Sequence, residues 1–254
     1  MKERKPQDRP AAFVTGASQG IGAAIALALA RDGFDVALSS TRPTKLAAVV
    51  AEIEAAGARA VPVALDVRAP ESIEQAMTQV VSACGRLDVL VNNAGVPLKK
   101  LALDMTPAEW ETVVNVNLKG TFFMSQQMGR HLVRSGRPGC IVSIASTHGL
   151  VALAQRSAYG IAKAAIIQMT RMLAIEWAQH AIRVNAVAPG RVDTPSRAGS
   201  LAEPGYRDAL LARIPLRRFG TAEEVAGAVS YLVSPAAAYI TGQTLVLDGG
   251  LTAY

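Results

Sequence analysis

Seven short, mostly aliphatic runs recur along the chain: AAFVT at 11–15, DVALSS at 35–40, RAVPVALDV at 59–67, LDVLVNNAG at 87–95, CIVSIAS at 140–146, IRVNAVAPG at 182–190 and TLVLDGG at 244–250. Between them lie longer Ala-rich stretches of helical period at 20–33, 43–57, 70–85 and 157–180, several stopped by glycine, and a further long helix is expected over 107–134. The strand runs are near-continuous in apolar residues rather than alternating with polar ones. Strands of that kind are buried on both faces, which requires a parallel sheet with helices above and below it. The pattern therefore predicts an α/β fold, a doubly wound parallel sheet of about seven strands in one domain over 11–254. The polar, Pro-bounded segment 1–10 reads as a flexible N-terminal tail.

Composition narrows the class further. The chain has 254 residues, 50% of them hydrophobic and only 5% aromatic, enough for a large core of Ala, Val, Leu and Ile. The formal charge of +6 is scattered, densest in the tail and in RIPLRRFG, so it does not form the basic stripe that nucleic acid requires. Cys84 and Cys140 stand far apart without a second pair, which suggests neither a disulfide framework nor a metal site and fits a reducing cytoplasm. No apolar run is long enough to span a membrane, and no signal-peptide core is visible at the N-terminus.

Candidate chemistry begins at TGASQGIG, Thr15 to Gly22, between the first strand and the first helix. In a doubly wound sheet this turn lies at the carboxyl edge, where the helix N-terminus offers unpaired N–H groups and a positive dipole end. Gly16 would permit the tight turn, Gly20 would clear the approach of a pyrophosphate, and Gly22 would let the helix pack closely on the sheet. Such turns also close strand–helix connections that bind nothing, so further motifs are needed.

Those motifs are TGxxxGIG, NNAG at Asn92 to Gly95, a serine thirteen residues before YGIAK, and PGRVDT at Pro189 to Thr194. In this order and spacing the chain resembles the short-chain dehydrogenase/reductase family from residue 11 to about 250. The resemblance implies a Rossmann-type doubly wound sheet that binds a nicotinamide dinucleotide and moves hydride at a secondary alcohol or ketone. Within the family it resembles both 3-oxoacyl-carrier-protein reductases and sugar-acid or polyol dehydrogenases.

Tyr159 and Lys163 are four apart on one helix, so they share a face and one site. A nearby ammonium stabilises a phenolate and lowers the tyrosine pKa, which suits general acid–base catalysis. Ser146 closes a strand at the same edge. By the resemblance it holds the substrate oxygen, and Asn117, placed before Leu-x-Gly, supports a water linking Lys163 to solvent; Asn115 is the nearby decoy.

The dinucleotide would meet Gly16, Ser18, Gln19, Gly20, Ile21 and Gly22. By carry-over it would also meet Asp66 and Val67 at the adenine, Asn93, Ala94 and Gly95 at the adenosine ribose, Lys163 at the nicotinamide ribose, and Val192 and Thr194 at the carboxamide, with Tyr159, Pro189 and Gly190 also in the cofactor site. At the end of the second strand, where NAD-preferring sites usually place an acid, stands Ser40, followed by Thr41 and Arg42. Nothing there repels a 2'-phosphate and a guanidinium can pair with one, so NADP(H) is favoured over NAD(H). Against this, Gln19 stands where many NADP-using relatives carry arginine.

A substrate lid is expected at about 195–218, with TAEEV starting a capped helix from Thr221 and Glu224. His148, Gln155, Arg156, Arg197 and Tyr206 could reach a pocket beside Ser146. In relatives the long helices and the strand ending near Tyr254 make a symmetric tetramer, so a homotetramer is implied. The competing expectation is a catalytically idle dinucleotide-binding module. No membrane or nucleic-acid partner is expected, and no metal.

Overall fold

A computed structural model describes residues 9–194 and 205–253. The seven runs become β1 (Ala11–Val14), β2 (Asp35–Ser40), β3 (Ala60–Ala64), β4 (Val89–Asn92), β5 (Gly139–Ile144), β6 (Ile182–Pro189) and β7 (Thr244–Leu247). They form one parallel sheet in the order β3-β2-β1-β4-β5-β6-β7, so the winding reverses between β1 and β4. Eight α-helices lie among the described residues: α1 (Gly20–Arg31), α2 (Ala47–Ala55), α3 (Pro70–Cys84), α4 (Pro107–Val114), α5 (Thr121–Ser135), α6 (Ser157–Trp177), α7 (Tyr206–Ala212) and α8 (Ala222–Val233).

The apolar strands are buried on both faces, as their continuous pattern requires. Ala12, Val14, Val91 and Val142 pack with Ile25, Leu29, Ile53 and Val229 from α1, α2 and α8 on one side. Phe13, Leu90 and Ile141 pack with Ile73, Val80, Met124, Met128 and Leu173 from α3, α5 and α6 on the other. Alternate residues of a strand point to opposite faces, so each strand supplies both cores. The strands are shorter than the runs that mark them. The surplus, Asp66 and Val67, Asn93 to Gly95, Ser146 and Gly190, forms the loops at the carboxyl edge.

Two helices depart from expectation. The stretch 107–134 is not one regular helix: α4 and α5 are joined by a π-helical segment, Asn115–Gly120. The wide turn has a local cause. The Asn117 amide leaves the helix to bind the Val96 backbone, and Gly120 lies so close to Val67 that a Cβ there would sit 2.7 Å from the Val67 Cβ. The stretch 157–180 is α-helical only to Trp177; its last turn, Ala178–His180, is 3-10 and gives way to Ala181 at φ 56°. The capping box at α8 is as expected: Thr221 accepts from the Glu224 N–H and Glu224 accepts from the Thr221 N–H. A second, at Thr106 and Glu109, starts α4, and there a salt bridge from Lys100 helps hold the Glu109 carboxyl down at about 2.

Of the tail expected over 1–10, residues 1–8 lie outside the described residues, whereas the Pro10 carbonyl accepts the Asp35 N–H and joins the folded body. Of the lid expected at 195–218, residues 195–204, with Arg197, also lie outside them. The rest forms α7 and a turn whose Leu216 N–H donates to the Gly249 carbonyl.

Candidate active site

The site is built at the carboxyl edge, around the reversal between β1 and β4, where open α/β sheets leave a crevice. Gly16 and Gly20 adopt φ of +67° and +58°, a region costly to any side chain. A Cβ on Gly16 would meet Ala94 Cα at 2.9 Å, and one on Gly22 would meet the Gly16 carbonyl at 2.5 Å and the Asn93 amide. The turn therefore lies directly on the end of β4. Thr15 joins the two: its hydroxyl accepts the N–H groups of Asn93 and Ala94, both at 3.0 Å, and Asn93 Nδ2 donates back to the Thr15 and Gly16 carbonyls. At the N-cap of α1, Gln19 makes no side-chain capping bond, and the first turn holds no acidic residue, so first-turn N–H groups face outward for an external acceptor. Ser18 and Ile21 are half-buried beside it, and Thr194 comes within 3.5 Å of where a Gly20 Cβ would lie.

At the end of β2 the Ser40 hydroxyl accepts the Arg42 N–H, and Thr41 and Arg42 are exposed. No acid stands at the β2 end, and among the described residues no ion pair engages the Arg42 guanidinium. Asp66 behaves differently from a free ligand. Its carboxylate is held by the Arg68 guanidinium at 2.6 Å and by the Arg68 N–H, and the side-chain bond to Arg68 is the main influence lowering its pKa. Val67 is buried.

Asn117 is fully buried, with Oδ1 accepting the Val96 N–H at 2.8 Å and Nδ2 donating to the Val96 carbonyl at 2.9 Å. Its amide thus clamps the loop that follows Gly95. Asn115 belongs to the same π-helical segment. Ser146 is buried at the end of β5, and its hydroxyl accepts the His148 N–H. Lys163 is only 5% exposed; its ammonium donates to the Ile144 carbonyl at 2.6 Å and lies 5.7 Å from the centre of the Tyr159 ring. Burial pushes the Lys163 pKa down, and the nearby Tyr159 pushes it back up. The His148 imidazole stands edge-on to the same ring at 6.1 Å. Ser146, Tyr159 and Lys163 are thus drawn together through Ile144 on one side and His148 on the other.

Pro189 ends β6, and the Gly190 N–H donates to Leu247. Val192 bridges to Gly220, which fixes the segment leading to Thr194. Among the residues expected near a substrate, Arg156 donates to the Leu98 carbonyl, and Gln155, at φ 65°, accepts the Lys100 N–H through its carbonyl, so both tie down the loop after β4. Arg197 and the side chain of Tyr206 lie outside the described residues. Sequence reasoning assigned no role to Thr15, although it stands in the quoted glycine motif. The signal was a hydroxyl at a strand end, next to backbone that must be bridged.

Residues 16–252 match the family model described as enoyl-(acyl carrier protein) reductase. The chain is 40% identical over 239 residues to the 3-oxoacyl-(acyl-carrier-protein) reductase FabG of Thermotoga maritima, covering 94% of this chain and 96% of that one. A short-chain type dehydrogenase/reductase from Mycobacterium marinum superposes with a TM-score of 0.92 at 36% identity over 96% of both chains. A candidate 2-deoxy-D-gluconate 3-dehydrogenase from Agrobacterium tumefaciens, solved with bound NADP, superposes with a TM-score of 0.90 at 34% identity, over 99% of this chain and 100% of that one.

Proposed function

The chain belongs to the short-chain dehydrogenase/reductase family, and from that premise we propose that it moves hydride between NADP(H) and a secondary alcohol or ketone with Tyr159 as general acid and base. As a member it is an oxidoreductase acting on CH–OH and keto groups with a nicotinamide dinucleotide. The observation that carries the mechanism is the buried Lys163, held against the Ile144 carbonyl and 5.7 Å from the Tyr159 ring.

A nicotinamide dinucleotide supplies the hydride donor or acceptor when bound. The residues fit it: uncapped N–H groups at α1, a glycine turn without side chains, and the Thr194 segment opposite. Ser146 holds the substrate oxygen by its hydroxyl, and Tyr159 gives or takes the proton on that oxygen. Lys163, held by the Ile144 carbonyl beside Tyr159, stabilises the phenolate and bonds the nicotinamide ribose. Asn117 holds the Val96 loop against the site, the action its own bonds support, and carries the water expected between Lys163 and solvent.

NADP(H) is preferred because Ser40 leaves the β2 end uncharged and Arg42 is free to face a 2'-phosphate. The substrate is a small molecule with a keto or hydroxyl group, a 3-oxoacyl thioester or a sugar acid, the classes named for the T. maritima and A. tumefaciens relatives. The protein works in the cytoplasm, where its free thiols Cys84 and Cys140 stay reduced. It works as a homotetramer with two-fold axes, which would cover Trp110, Phe122, Ile161 and Ile175 on α4, α5 and α6, and Leu245 and Val246 on β7, all exposed apolar side chains. Ketones, sugar acids and 3-oxoacyl thioesters assayed by nicotinamide absorbance with each cofactor test the reading. Consumption of the cofactor with any of them supports it, and none with all of them overturns it.

A further inference from the structure

Gly149 closes the turn that follows β5. Its N–H donates to the Ser146 carbonyl at 2.9 Å, and the same turn carries the His148 N–H that donates to the Ser146 hydroxyl. This turn lies on the backbone of α6. A Cβ on Gly149 would sit 2.7 Å from the Lys163 carbonyl carbon, 2.8 Å from the Ala164 nitrogen and 2.9 Å from the Lys163 oxygen. From the other side, a Cβ on Gly160 would sit 2.9 Å from the His148 oxygen. Each element thus turns a glycine toward the other's backbone. These are main-chain atoms, so no rotamer change relieves the contact. Neither glycine adopts a positive φ, so alanine is barred by the contact alone and not by its own conformation.

We propose that Gly149, supported by Gly160, is a positioning residue that sets Ser146 against Tyr159 and Lys163. This rests on the reading that those three act on one substrate. Tyr159 and Lys163 keep their spacing within a single helix whatever the turn does, but Ser146 arrives from another element. Its distance to the helix is fixed by glycine-to-backbone contact, and on the strand side by Lys163 bound to Ile144, two residues earlier. A methyl on Gly149 would push the turn back by about 0.7 Å before ordinary contact is restored. A shift on that scale moves the Ser146 hydroxyl out of line with the phenol.

Gly149→Ala should lower kcat by roughly ten- to a hundredfold while leaving the NADP(H) dissociation constant within about twofold. Because the effect runs through Ser146, adding Gly149→Ala to Ser146→Ala should cost less than about a further twofold. Gly160→Ala, with one tight backbone contact, should show a smaller loss of the same kind, and it carries the test if Gly149→Ala fails to fold. Gly227→Ala, with no atom within 4 Å of its added Cβ, should leave kcat unchanged. Full turnover in Gly149→Ala, or a loss that multiplies undiminished onto Ser146→Ala, would overturn the proposal. If Ser146→Ala alone kept full turnover, the reading of Ser146 would fail instead. The crystal structure of Gly149→Ala would still judge the packing: Ser146 Oγ displaced from the Tyr159 hydroxyl by about 0.5 Å or more supports it, and superposable side chains refute it.

Discussion

The β1–α1 turn and the crossing of the β5 turn over α6 stand at the same edge of one sheet but are held in place differently. At the first, close glycine contact is joined by hydrogen bonds: four bonds, donated by Asn93 and Ala94 and accepted by Thr15 and Gly16, tie the glycine turn to the end of β4. At the second, position comes from hard contact between Gly149 and the Lys163 backbone, around one buried ammonium. The first region gathers donors for an anion. The second holds reacting groups at a fixed distance. Damage to the first should therefore appear as lost affinity and damage to the second as lost rate, with lost affinity added only where Lys163, which also bonds the nicotinamide ribose, is changed.

The largest expected effect is at Lys163. Lys163→Met keeps the buried stem and removes the charge, so turnover should fall by about 10²- to 10⁴-fold. Stability should change by about 1 kcal/mol or less, since the relieved desolvation of the ammonium offsets the lost bond to Ile144. Steady-state rates beside thermal melts check this. Turnover within tenfold of the wild type would remove the lysine from the mechanism.

A middle-sized effect is expected at Arg42. Losing a charge-assisted bond costs about 1.5–3 kcal/mol, so Arg42→Ala should weaken NADP(H) by roughly ten- to a hundredfold and leave NAD(H) nearly untouched. Dissociation constants for both dinucleotides decide it; equal small effects would mean that the guanidinium does not meet the phosphate. The smallest effect is expected at Thr15. Thr15→Val leaves the N–H groups of Asn93 and Ala94 without their acceptor. It should weaken the cofactor about tenfold, while kcat at saturating cofactor stays within about threefold. A fall in kcat with affinity intact would break the division between the two regions.

Much of this was legible locally. The apolar runs, the glycine turn, the Thr221 capping box and the Tyr159–Lys163 spacing are each decided within a few residues, so the pattern alone reveals them. What was not legible depends on partners distant in sequence. The π-helical segment arises because Asn117 binds Val96 and Gly120 meets Val67, neither of which a helical period can report. The bond between Asp66 and Arg68 was within reach, two residues along the chain, but the resemblance considered Asp66 only as a neighbour of the adenine. Nothing local marks Gly149, because only the crossing shows which backbone it approaches.

The most direct test of the division is Tyr159→Phe, with the NADP(H) dissociation constant and turnover measured on one preparation. Removing the phenolic hydroxyl takes away the transferred proton and little else, so affinity should stay within about threefold while turnover falls by about 10²- to 10⁴-fold. Retained turnover, or a loss of rate matched by an equal loss of cofactor affinity, would contradict the account.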